Sequence, residues 1–467
     1  MDSNFRSVCL LVLLAGALLL LGPGGAAALI VYGPPRAVPG AGGCLHDPGY
    51  EPAADQVCPG AATGLAGAQA VAVSPDGRSV YVAGNDDVVA LARDPASGAL
   101  APARSPSARA CIGSGAGGPC ATMDETLSGA DALAVSPDGR FVYVGASDTA
   151  AVSAFIRGRD GVLVPLRHGR GPYFGCVAGA SLTGFAKPRC AGRLNALNGV
   201  DALAISPDGR DLYAVSYGLE PGTDSVVTLR RDPRSGGLRP LPGTRGCVQS
   251  LPGSGCLALA GLEGASAITI SADGRFVYVA SELSGAVRGF LREPGTGALE
   301  PLYGPGGCIS SGNRPARDVS CDAIVPQLAG ARSIALSPDG RELYVAAFDP
   351  GAVVVLRRNR TSGRLAVSAP DCLQAATDAG CPVGLPFLRG AAALAMGPGG
   401  VVYVIGESAN SLVELLRSPT DGGLTPSGET PTTVDSLSGP AALALSPDGH
   451  SIYVASPFDE GVAALTG

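Results

Sequence analysis

Residues 266–302 read SAITI, SADG, RFVYVAS, ELSG, AVRGFLREPGTG, ALEPL. An apolar run is followed by a tight turn, a second run through Tyr278, a short loop, a third run and a brief fourth. Four short runs separated by turn residues describe one four-stranded antiparallel sheet, with the first strand innermost. The first turn carries its own physical reason in the commoner Ser-Pro-Asp-Gly copies. Pro presets the backbone angle of its position, Asp bonds back to the backbone, and Gly accepts the left-handed conformation.

Working outward, the same unit recurs along the chain. The turn begins at Ser74, Ser136, Ser206, Ser271, Ser337 and Ser446, with a worn GPGG copy at Gly397. The tyrosines that follow, Tyr81, Tyr143, Tyr213, Tyr278, Tyr344, Tyr403 and Tyr453, are spaced by 62, 70, 65, 66, 59 and 50 residues. Such a period, filled with short strands, is too long for a solenoid coil and fits a propeller blade plus a connector. The expected fold is an all-β seven-bladed β-propeller with four-stranded antiparallel blades. Within the inner strands, Leu133 and Val135 alternate with Ala132 and Ala134, so large residues on one blade face should pack against small ones on the next. The seventh unit supplies three strands and no fourth, which points to closure by an N-terminal strand, expected at Leu29–Tyr32.

The first 28 residues have one cation, Arg6, then an apolar run, then small residues ending at Ala28. That order reads as a secretory signal cleaved near Ala28, leaving residues 29–467 as one propeller domain; retention as an anchor is the alternative. Twelve of the thirteen cysteines fall into close pairs: Cys44 with Cys58, Cys111 with Cys120, Cys176 with Cys190, Cys247 with Cys256, Cys308 with Cys321, and Cys372 with Cys381. The second member stands 16 residues before the turn motif in five units and 15 in one, so it is fixed relative to its blade. Six local disulfides are expected in an oxidising, extracytoplasmic compartment. Metal ligation is the rival reading, but no pair has the tight spacing of a zinc site. A net charge of −7, no Trp and 5% aromatic residues disfavour nucleic-acid binding.

The phrase ALAVSPDGR followed by VYV, with later segments such as Arg231 to Leu238, resembles the lactonase-like seven-bladed propellers related to 6-phosphogluconolactonase and carboxymuconate cyclase. It also resembles the overlapping YVTN-type extracytoplasmic propellers. The resemblance spans the whole chain after the leader and implies the fold. Enzymes of that family often show a Gly-x-Arg-His step into an inner strand. Gly330 and Arg332 match it, and Ser333 stands where the histidine would be. A serine hydroxyl does not replace an imidazole as proton carrier.

In such a ring the connectors and the second-to-third strand loops share one face, and the SPDG turns lie on the other. Two residue sets should converge on the loop face. One is the position five before each turn: Gln69, Asp131, Asp201, Ser266, Arg332, Ala392 and Ala441. Its polar members lie in the first five units, a lopsided mouth suited to a small ligand. Strand-start Asp residues also commonly bond local amides. The other set comprises loop carboxylates, among them Asp86, Asp148, Glu282, Asp349 and Glu407. As a ring they would hold calcium or face a cationic partner, although acidic turns are common without either. The SPDG aspartates are accounted for by turn geometry. The least repetitive connectors carry His46, Asp47 and Tyr50, and His168, Arg170, Tyr173 and Phe174.

The reading that follows is a secreted or periplasmic monomer that binds a small ligand or an envelope protein. The alternative is a lactone hydrolase in which Arg332 polarises the carbonyl and Asp131 or Asp201 activates water.

Overall fold

The computed structural model describes residues 35–467, except 50–57, 106–109, 116–119, 121, 168–173, 180–188, 219–222, 254, 313–320, 322, 378–380, 428–431 and 434–437. Seven antiparallel sheets follow one another along the chain, one for each copy of the repeat. In the first blade, Ala68–Val73, Ser79–Gly84 and Asp87–Arg93 form the three inner strands. The fourth position is split: Leu100–Pro102 and Cys111–Gly113 both pair with Asp87–Arg93, side by side along its length. A short strand, Thr122–Met123, then runs parallel to Cys111–Gly113 before the chain enters the next blade. In the fifth blade the two halves are fused into one strand, Leu365–Gln374.

All six expected disulfides form, with Cα atoms 4.8–5.5 Å apart. In each, the first cysteine opens the second half of the split strand, and the second lies just before the parallel strand. The pair therefore closes the loop between them. Each such loop spans 9–14 residues, so each bridge should stabilise the fold by about 3 kcal/mol. Peptide mapping of the unreduced protein should recover only these sequential pairs, and a mixed pairing would refute the arrangement.

The ring is closed by an N-terminal segment, at a different place from the one expected. Arg36–Ala37 and Cys44–His46 supply the two halves of the split strand against Gly461–Thr466. Leu29–Tyr32 lies outside the described residues, and the signal segment does too. The apolar run attracted the assignment, yet Arg36 and Ala37 are both exposed. An outermost strand faces water and gives no hydrophobic signal. Among the described residues, no helix is long and apolar enough to cross a membrane.

Among the described residues, seven large hydrophobic clusters lie one between each pair of neighbouring blades, and a small eighth of Ala151, Ala178 and Cys190 lies in the second blade. Leu133 and Val135 pack back against the first blade, around Tyr81 and Val88. Ala132, on the other face of the same strand, packs forward against Val200 and Leu212 of the third. Small residues thus receive large ones at each interface, as the alternation implies.

Among the described residues, an arginine clamp crosses six of the seven interfaces on the turn face. Tyr81 donates its hydroxyl hydrogen to the Gly161 carbonyl of the next blade at 2.9 Å, and Arg157 Nε of that blade donates to Tyr81 Oη at 2.8 Å. The same guanidinium reaches Asp76 of the SPDG turn at 2.9 Å. Arg231 repeats this on Tyr143 and Asp138, Arg292 on Asp208 and the buried Asp211, Arg417 on Asp339 and Glu342, and Arg93 on Tyr453 and Asp448. Arg358 donates to Tyr278 Oη and faces Asp273 electrostatically. The turn aspartate therefore does more than turn geometry requires: besides bonding its own Ser and backbone, it receives the arginine of the next blade. Burial opposes ionisation of Asp208, but bonds from Ser206, Arg292 and the Arg210 amide outweigh it and hold the carboxyl at about 2.

Candidate functional site

Each of the first six inner strands opens with a β-bulge. Pairing skips one residue between Ala68 and Ala70, Ala130 and Ala132, Val200 and Ala202, Ala265 and Ala267, Ala331 and Ser333, and Ala391 and Ala393. The skipped residues are Gln69, Asp131, Asp201, Ser266, Arg332 and Ala392. A bulge re-aims the side chain it releases from the ladder. Here all six, together with Ala441 of the seventh blade, line one cavity of about 260 Å³ at the channel mouth. The spacing of five residues before the turn marks the bulge, although nothing in residue identity announces it.

The cavity has two unlike walls. Gln69, Asp131 and Asp201 stand on the first three blades, and Ala392, Ala393, Ala441 and Ala442 on the last two. Burial raises the Asp131 carboxyl to about 6; a bond from Ser147 pulls the other way and nearby Asp148 adds to the rise. Asp201 is pushed up to about 7, first by burial and then by Asp131 and Glu282, against the opposing pull of Arg332. Water is displaced from these carboxyls without a matching cation, so their charged forms are disfavoured near neutrality.

Arg332 shares the cavity, but its charge is already compensated. Its guanidinium pairs with Glu407 of the sixth blade at 2.8 Å and lies 5.0 Å from the centroid of the Phe348 ring. Glu407, expected in a metal ring, instead fixes this arginine. Ser333 accepts a bond from the Leu394 amide at 3.1 Å, and Ser266 donates to the Ala331 carbonyl at 3.1 Å. Both hydroxyls therefore tie neighbouring inner strands together.

The other loop carboxylates do not converge. Among the described residues, the one group of three ligand atoms within 4.8 Å of each other is Asp87 with Cys111 and Cys120, and those cysteines are joined in a disulfide. Sulfur in a disulfide is not the thiolate that binds a metal. Asp86, Asp148, Glu282, Asp349 and Glu407 sit on separate blades, and among the described residues they form no such group. Several carboxylates of this face serve the local backbone. Asp47 accepts from the amides of Gly49, Gly64 and Leu65 at 2.9, 2.7 and 3.2 Å. Asp224 accepts from the amides of Gly218 and Gly264 and from the Ser250 hydroxyl. Asp148 accepts from the Ser128 hydroxyl at 3.4 Å. His450 lies beside the turn at Asp448, away from the mouth. Tyr50, His168, Arg170 and Tyr173 lie outside the described residues, and Phe174 forms a backbone bridge with Leu238.

The interblade arginines escaped the sequence reading. Their signal is an Arg standing five residues before a Gly, as in Arg93 to Gly98, Arg231 to Gly236, Arg292 to Gly297, Arg358 to Gly363 and Arg417 to Gly422.

With fold and mouth in view, the class is a seven-bladed β-propeller. The periplasmic gluconolactonase of Pseudomonas aeruginosa is similar, with a TM-score of 0.52, 21% identity, and coverage of 80% of this chain and 86% of that one. A "putative 6-phosphogluconolactonase" from Bacteroides uniformis gives a TM-score of 0.52 at 20% identity, over 78% and 85% of the two chains. The hydrazine synthase of Kuenenia stuttgartiensis also reaches 0.52, at 16% identity over 87% and 97%. Likeness at this level defines the architecture, and proteins with such different names sharing it shows why architecture does not fix a reaction. No protein-family model matches the sequence. No curated protein matches it either.

Proposed function

We propose that this chain is an extracytoplasmic propeller that binds a small polar ligand at the channel mouth. The observation that carries the reading is the convergence of seven equivalent positions on one cavity, with carboxyls on one wall and alanines on the other. Six disulfides suit an oxidising compartment, and one structural relative is described as periplasmic. A leader cleaved near Ala28 would deliver the chain there.

A second reading, lactone hydrolysis, is favoured by one feature: Asp201, which titrates at about 7, shares the cavity with Arg332. In that reaction the ionised Asp201 takes a proton from water, and the resulting hydroxide adds to the lactone carbonyl. The ring C–O bond breaks, and the proton returns to the departing alkoxide. Arg332 would polarise the carbonyl oxygen, which requires it to loosen its hold on Glu407.

One panel separates the two readings. Lactones, the corresponding open-chain hydroxy acids and simple amines are screened for thermal stabilisation of the purified protein, and the lactones also for acid release with a pH indicator. Binding without turnover, weakened at least ten-fold in Asp201→Asn, is the expected result. Turnover abolished by Arg332→Ala would establish the hydrolase. Stabilisation unchanged in Asp201→Asn would remove the mouth from consideration.

A further inference from the structure

We propose that the ring opens at one interface, between the sixth and seventh blades, and that this seam is the flexible side of the channel mouth. The clamp that locks the other six interfaces needs an arginine at the end of one blade's third strand and a turn carboxylate on the blade before it. At this interface both positions are glycine. Gly467 occupies the arginine position: Ser451 pairs with Thr466 as Ser79 pairs with Ala92, and the next residues are Gly467 and Arg93. On the facing blade the worn turn runs Gly397-Pro398-Gly399-Gly400 straight into Val401, one residue shorter than its siblings and without the aspartate. The two losses coincide at the same seam. On the turn face of this seam Pro398 lies against Gly449, as a turn proline lies against a turn glycine at other interfaces.

Two further observations fall on the same interface. The connector from the sixth blade to the seventh, around residues 426–438, contains no cysteine, whereas every other connector is tied by a disulfide. Among the described residues, the apolar cluster between these blades is also the smallest of the seven interblade clusters, with nine buried members against eleven to fifteen at the other interfaces. The chain's own point of closure is a different place. It lies within the seventh blade, where Arg36–Ala37 and Cys44–His46 pair with Gly461–Thr466. Arg93 then locks that blade to the first.

The seam reaches the mouth through Ala392 and Ala441, which stand on its two sides and form the alanine wall of the cavity. Separation of these blades therefore widens the cavity on the wall opposite Asp131 and Asp201. Local opening is drawn from the interfaces with the fewest fixed contacts.

The test compares buried thiols at equivalent places. Val454 faces the seam and Val279 faces the clamped interface between the third and fourth blades; both directly follow the repeat tyrosine and are fully buried. Val454→Cys and Val279→Cys are prepared in the full mature protein, and labelling by a thiol reagent is timed under native conditions. Val454→Cys should react at least ten times faster. Adding Gly467→Arg, which can reach Tyr403 as Arg93 reaches Tyr453, should slow it at least three-fold. Equal rates in the two single variants would overturn the proposal. If Val454→Cys does not fold, Ile405→Cys, fully buried on the sixth-blade side, reads the same interface.

Discussion

Arg292→Ala lowers the unfolding free energy by about 3–5 kcal/mol, the range for stripping one partner from a buried ion pair. The Arg292 and Asp211 side chains are 3% and 0% exposed, so solvent does not screen the loss. Nε donates to Asp211 at 2.9 Å, Nη1 to the Gly274 carbonyl at 3.0 Å, and Nη2 to Asp208 at 2.7 Å. Alanine removes all of these bonds and leaves Asp211 with Arg230 as its remaining cation, at 2.6 Å. Urea unfolding of the variant beside Arg360→Ala, an exposed arginine, measures the effect. A loss no larger than the control's would mean that the clamps are decoration on an interface held by its apolar cluster. Arg292→Met, which keeps the aliphatic stem, should recover less than half of the loss if charge pairing dominates over packing.

Asp201→Asn stabilises the protein above neutrality and leaves it nearly unchanged in mild acid. The sign follows from linkage. The folded carboxyl titrates at about 7 and the free one near 3.8, so between these values the folded state holds a proton that the unfolded state has released. Stability from this group is present at low pH and is lost as pH rises through 7. Asparagine has no charge to accommodate, so the variant gains on wild type across that window. The expected gain at pH 8 is about 1–2 kcal/mol, below the full linkage value because the carboxyl is only half buried. Asp131 interacts with Asp201, so the transition should be broad, and Asp131→Asn should sharpen it and move it down. Denaturation midpoints of wild type and variants from pH 4 to 8 test this. A constant difference across the range would show that the mouth carboxyls titrate normally and that the cavity is open to water.

The repeat made most of the architecture legible. Seven copies of one strand-turn-strand phrase state the blade number, and the alternation of Leu133 and Val135 with Ala132 and Ala134 states which faces meet. The cysteine pairs were legible because each closes a short loop and needs no long-range information. The closing strand was not, because Arg36–Ala37 is short, exposed and polar at one end. The partners of the loop carboxylates were not legible either. A ring in sequence register is not a cluster in space, and residues such as Asp47 and Asp224 are engaged by backbone amides that the sequence does not show.

By itself, then, the chain determined a seven-bladed ring, its disulfide pairs and the seven positions that face the channel, because each follows from local periodicity repeated many times. Tertiary structure alone decided the bulges that turn those positions into one cavity, the proximity that pushes Asp201 up, the pairing of Arg332 with Glu407, and the arginine clamps between blades. These depend on distances between blades, and strand-level periodicity carries no record of which residues of neighbouring blades come to touch.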